Sequence, residues 1–142
     1  MNHFLMKVPI INQELHKILE AAKAGNLKDL KTLLTREKLV LVREKTSKSS
    51  ILHLAVANQH YDTVIFLVEN FPHLQFCSDF ENRTPLHIAA IQKNSKLYEL
   101  LIFSGSNLFS MDNFKKSAFQ YFNEKILNVE ESTSRWREAL GK

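Results

Sequence analysis

Apolar positions recur along this chain at two nested intervals. Within short stretches they follow helical spacing, as in Leu97, Tyr98, Leu100 and Leu101, which gathers them on one face of a 3.6-residue helix. Between stretches they recur at one fixed, much longer interval: Ile18, Leu52 and Leu86; Ala21, Ala55 and Ala89; Leu30, Val64 and Tyr98; Leu33, Leu67 and Leu101. Three registers that agree at four positions mark an internal repeat, and a repeat of this length decides the fold before any single element does. A fainter fourth unit starts at Asp112, where Ser117-Ala118-Phe119 follows Thr84-Pro85-Leu86 at an interval shorter by one.

Each unit predicts two short helices and a turn. In the third, Leu86, Ala89 and Ala90 give an inner helix with small residues on its packed side, Asn94 and Ser95 interrupt it, and Leu97 to Leu101 form an outer helix. Gly105 stands where that helix ends and the backbone needs a positive φ. The polar stretches Ser78–Arg83 and Asp112–Lys116 predict hairpin turns between units. One helix pair cannot bury its apolar side alone, but stacked pairs share a continuous core. The predicted class is therefore all-α: a solenoid of helix-turn-helix units joined by hairpin turns. It forms a single domain over residues 1–142, with units at about 12–44, 45–78 and 79–111, a partial cap at 112–127, and a helix or tail at 128–142.

Thr84-Pro85-Leu86-His87-Ile88-Ala89-Ala90 and its echo Ser50-Ile51-Leu52-His53-Leu54-Ala55 resemble the signature of the ankyrin repeat. The first unit keeps only Ala21-Ala22, Gly25, Leu30 and Leu33-Leu34, as terminal capping repeats do. The resemblance covers roughly residues 12 to 127; it is specific for fold and says little about function. The roles of these residues also follow from their chemistry. Thr84 caps the inner helix, Pro85 fits its first position, where an N–H is not needed, and His53 and His87 are expected to bond backbone groups of neighbouring turns. Asn82 replaces the family's usual turn Gly and tolerates the left-handed region. Lys48 and Lys115 at the same position fit it less well, so their hairpins are expected to be irregular. Asn70-Phe71-Pro72-His73-Leu74 replaces the usual Gly loop with one residue more. Phe119, Tyr121 and Phe122 make the fourth unit bulky, and Glu130–Lys142 is expected to add a helix through Trp136 and Leu140.

Composition narrows the function classes. The chain has 142 residues, 44% hydrophobic and 24% charged, a globular balance with room for one domain. No apolar run approaches a membrane span, and the start, Met1 to Pro9, lacks the apolar core and cleavage site of a secretory signal. With 3 glycines there is no Gly-rich phosphate loop, and the lone Cys77 suits a reducing, intracellular compartment. The net charge of +4 is spread out, with no basic block.

The search for chemistry assigns no catalytic, cofactor or metal residue. His3, His16, His53, His60, His73 and His87 show no metal-ligand spacing, and the recurrence of His53 and His87 at the repeat period is structural. Cys77 lies before a turn without a nucleophile signature. Glu130 and Glu131 are neighbours that point in different directions on a helix. Trp136 between Arg135 and Arg137 could stack on nucleic acid, but packs a final helix more simply. The chain is read as a non-enzyme.

In ankyrin-like proteins, the turn tips and inner helices line a concave face where protein partners bind. The resemblance places Thr46, Ser47 and Ser49 on the second-unit turn, with Ala57 and Asn58 on its inner helix. In the third unit the corresponding residues are Phe80, Glu81 and Arg83, with Ile91 and Gln92. In the fourth they are Asn113, Phe114 and Lys116, with Glu124 and Lys125. Aromatic and Arg side chains on exposed turns favour an interface, so the candidate partner-binding residues are Phe80, Glu81, Arg83, Ile91, Gln92, Asn113, Phe114 and Lys116. The expected function is a monomeric adaptor or inhibitor that binds a protein. The alternative is a binder of nucleic acid or anionic surfaces. A short Lys-, Asn- and Phe-rich chain of this kind looks like the stand-alone ankyrin proteins that intracellular bacteria or viruses direct at host targets, some of which resemble inhibitors of Rel-type transcription factors.

Overall fold

The computed structural model describes residues 2–34 and 41–124, with side chains from residue 13 onward. Seven α-helices and no β-strand occur among them. They are α1 (Asn2–Ala24), α2 (Leu27–Leu33), α3 (Ile51–Ala57), α4 (Tyr61–Asn70), α5 (Pro85–Ile91), α6 (Ser95–Phe103) and α7 (Ala118–Asn123). A 3-10 helix, Pro72–Phe76, follows α4 and occupies the replaced Gly loop. The inner helices α1, α3, α5 and α7 pack in succession, α1 on α3, α3 on α5 and α5 on α7, while α2, α4 and α6 each pair with the inner helix before it. Helix α1 begins at Asn2, well ahead of the expected first-unit boundary.

The repeat registers form the core. Ile18, Leu52, Leu86, Ala55, Ala89, Leu67 and Leu101 are fully buried, and Ala21 nearly so. Alanine at the inner-helix positions lets successive helices approach closely, which a continuous core of stacked pairs requires.

Two further registers are backbone requirements. Gly25, Gln59 and Lys93, which share the same repeat interval, end the inner helices at φ 70°, 59° and 57°. Lys48, Asn82 and Lys115 turn the hairpins at φ 60°, 61° and 60°. Gly105 ends α6 at φ 104°, as expected. The Asn82 and Lys115 hairpins close identically: Asp79 N–H donates to Arg83 O at 2.9 Å and Asp112 N–H to Lys116 O at 3.0 Å. The expected irregularity of the Lys115 hairpin is therefore corrected, because Lys adopts the same left-handed turn as Asn. The Lys48 hairpin does differ. It closes from Glu44 N–H to Ser49 O at 2.9 Å, one residue longer.

A Lys held near φ 60° carries strain on the order of 1 kcal/mol that Gly does not. Lys115→Gly is expected to raise the unfolding free energy by about 1 kcal/mol, read as a higher urea midpoint at unchanged slope. An unchanged midpoint would mean that the lysine side chain compensates its own backbone.

Candidate protein-binding face

The hairpins are held at both ends by the inner-helix caps. Ser50 Oγ accepts from His53 N–H at 3.3 Å and Ser117 Oγ from Gln120 N–H at 3.2 Å. Ser50 N–H donates to His53 Nδ1 at 3.2 Å, and Thr84 N–H to His87 Nδ1 at 3.1 Å. The far nitrogen of each ring reaches the next hairpin: His53 Nε2 lies 2.7 Å from Arg83 O, and His87 Nε2 lies 3.1 Å from Lys116 O. A carbonyl can only accept, so Nε2 carries the proton and Nδ1 is the acceptor. Both rings are therefore neutral struts, as the sequence suggested, and both their nitrogens are engaged. Burial holds both pKa values below the usual histidine range, His53 at about 4, against the opposing pull of the carbonyl bonds.

Successive hairpins also bond directly. Phe80 N–H donates to Ser47 O at 3.0 Å and Asn113 N–H to Glu81 O at 2.9 Å. The tips thus form a continuous ladder, and whatever they present is rigidly spaced.

The structure sorts the eight candidate residues into two groups. Phe80 and Phe114 are each 43% exposed on the tips, Asn113 is exposed, and Glu81 and Ile91 are half-buried. The rest turn inward. Arg83 is corrected outright: it is 1% exposed. Asp79 Oδ1 accepts the Glu81 and Arg83 N–H groups at 3.0 and 2.8 Å, and its other oxygen faces Arg83 Nε at 3.3 Å. A buried carboxylate needs a counter-charge, so the guanidinium folds back beneath the Phe80 ring, 5.7 Å from its centre. Gln92 ties adjacent inner helices, donating to Ala57 O at 2.7 Å. Lys116 Nζ pairs with Glu124. Of the second-unit turn positions, Ser47 and Ser49 are buried, bonded hydroxyl to hydroxyl at 2.9 Å, which corrects their expected place on the surface; Thr46 remains exposed. Ala57 is buried, Asn58 exposed and Glu124 half-buried, while Lys125, Glu130, Glu131 and the Trp136 cluster lie outside the described residues.

Sequence reasoning missed one surface feature. Leu41, Phe76 and Phe109 each stand two positions before the residue that leads into a hairpin, Arg43, Ser78 and Met111, and are 56%, 63% and 66% exposed. Their common register is hidden because the intervals between them are unequal: the first hairpin is one residue longer, and the fourth unit follows at the shorter interval.

A family model for ankyrin repeats, in three copies, matches residues 18–112. The chain belongs to the ankyrin-repeat family. Among curated ankyrin relatives, Protein fem-1 homolog A of Bos taurus is 33% identical over 88 residues, covering 54% of this chain and 14% of that protein. The human Protein fem-1 homolog A is 32% identical over 88 residues, covering 54% and 13%. Ankyrin repeat-containing protein YAR1 of Saccharomyces cerevisiae is 32% identical over 77 residues, covering 51% and 38%. The chain thus spans a minor part of the length of these relatives. Ankyrin repeats generally mediate protein–protein interaction and are typically non-catalytic, and no helix among the described residues is long and apolar enough to cross a membrane.

Proposed function

We propose that this ankyrin chain is a non-catalytic adaptor or inhibitor that binds a partner protein across its hairpin tips and inner-helix face. The observation that carries the reading is the pair Phe80 and Phe114, 43% exposed on tips that backbone hydrogen bonds lock together. Rigid aromatics on a pre-ordered surface lose little entropy on binding, and aromatics dominate interface energetics. Ile91 extends the apolar strip, Glu81 and Asn113 supply its polar edge, and Arg83 acts from beneath by supporting Phe80. An intracellular role directed at a host protein is supported by the Lys-, Asn- and Phe-rich composition and the single cysteine.

The test is a quantitative affinity measurement on the partner recovered with the full chain. Phe80→Ala with Phe114→Ala is expected to weaken binding at least about tenfold, with the melting temperature within a few degrees of the parent. Unchanged affinity in a folded variant would place the interface elsewhere. A steep loss of affinity with added salt would instead favour a phosphate-rich partner.

A further inference from the structure

We propose that the C-terminal segment, residues 125–142, docks on the apolar end of the stack at Phe109 and Phe119, with Trp136 and Leu140 as its anchors. A repeat array needs a finished surface at each end. Among the described residues, the C-terminal end of the stack leaves apolar side chains uncovered. Ile18, Leu52 and Leu86 occupy one register of the inner helices and are fully buried, on helices that are each followed in the stack by another inner helix, α1 by α3, α3 by α5 and α5 by α7. Phe119 continues that register and is 47% exposed. Its ring sits 5.8 Å from that of Phe109, itself 66% exposed. The adjoining Phe122 is stacked on Tyr98 at 4.0 Å. The fourth unit also stands without an outer helix among the described residues, whereas each earlier inner helix has one.

The occupant follows from where the described chain stops. Residue 124 directly follows α7, at this end of the stack, and the sequence continues from there to Lys142. Five residues reach up to about 17 Å, enough to bring Val129 onto the Phe109–Phe119 pair. Val129, Trp136 and Leu140 are spaced i, i+7 and i+11, one face of a helix. Arg135 and Arg137 fall about 100° to either side of Trp136, toward water. Docked in this way, Trp136 is a packing residue and is withdrawn from any nucleotide base.

Trp136 is the sole tryptophan, so intrinsic fluorescence of the full chain reports on it alone. The expected result is blue-shifted emission and acrylamide quenching roughly threefold weaker than that of free N-acetyl-tryptophanamide. Phe109→Ser with Phe119→Ser is expected to return both readings to the free-indole values. Leu140→Asp, which alters only the segment, is expected to do the same and keeps the test decisive if the double variant fails to fold. Three outcomes overturn the proposal: free-indole values in the parent chain, a shielded Trp136 that none of the variants releases, or shielding that disappears on dilution as sedimentation shows a dimer dissociating. The last would assign the apolar end to a second copy.

Discussion

Replacing His53 by Ala is expected to destabilise the stack by about 3 to 4 kcal/mol, from two buried bonds at about 1–3 kcal/mol each and the cavity left by the ring. The side chain is fully buried and joins three elements: the α3 cap through Ser50, the helix itself, and the third hairpin through Arg83 O. Removing it strands a buried N–H and a buried carbonyl. His87→Ala is expected to lose less, because its carbonyl bond is longer, at 3.1 Å, and Thr84 is only half-buried. Urea unfolding of both variants checks the size and the order. Equal effects below about 1 kcal/mol would show that the struts are not structural.

The same strut sets an acid limit. The His53 pKa falls from 6.5 to about 4 on folding because burial disfavours the cation. The unfolded chain thus takes up this proton first as pH drops. The stability the neutral ring contributes is intact above pH 6.5 and drains away between about 6.5 and 4, by on the order of 3 kcal/mol. His87 shifts in the same direction and adds to the slope. In His53→Ala this part of the pH dependence is expected to shrink, leaving the His87 share. An identical slope in the two proteins would remove His53 as its source.

The sequence reveals those parts of the fold that repeat. The Ala and Leu registers and the Leu-His pair at the start of the inner helix recur at one interval, so the packed faces and the struts follow from spacing alone. Arg83 illustrates the limit. Its place in a polar turn predicts exposure, and its burial comes from Asp79, whose second oxygen needs a charge once the hairpin closes over it. Gln59 and Lys93 are hidden for a different reason: left-handed backbone is signalled by glycine, and only Gly25 in that register shows it. The exposed aromatics of the candidate face were legible because turn tips must reach water. Which neighbours tie down Gln92 and Lys116 was not, since those contacts depend on how the chain folds back on itself within and between units.

Gly25 is where repeat geometry leaves least freedom, and Gly25→Ala is expected to destabilise the chain by about 3 kcal/mol or more, from backbone strain and overpacking together. Its φ of 70° is strained for any residue with a side chain, yet Gln59 and Lys93 hold the equivalent position, so strain alone is tolerated. The difference is His60. A Cβ at residue 25 would stand 2.5 Å from both Cγ and Nδ1 of that imidazole, whose Nε2–H is fixed by Lys23 O at 2.7 Å. The ring cannot retreat without giving up a bond that closes α1 against the second unit. His60→Ala in the Gly25→Ala background is therefore expected to recover about 1 to 2 kcal/mol, although His60→Ala alone is destabilising. A double-mutant cycle from urea midpoints separates the two contributions: strict additivity would mean that the imidazole moves aside freely, leaving φ as the only penalty at this position.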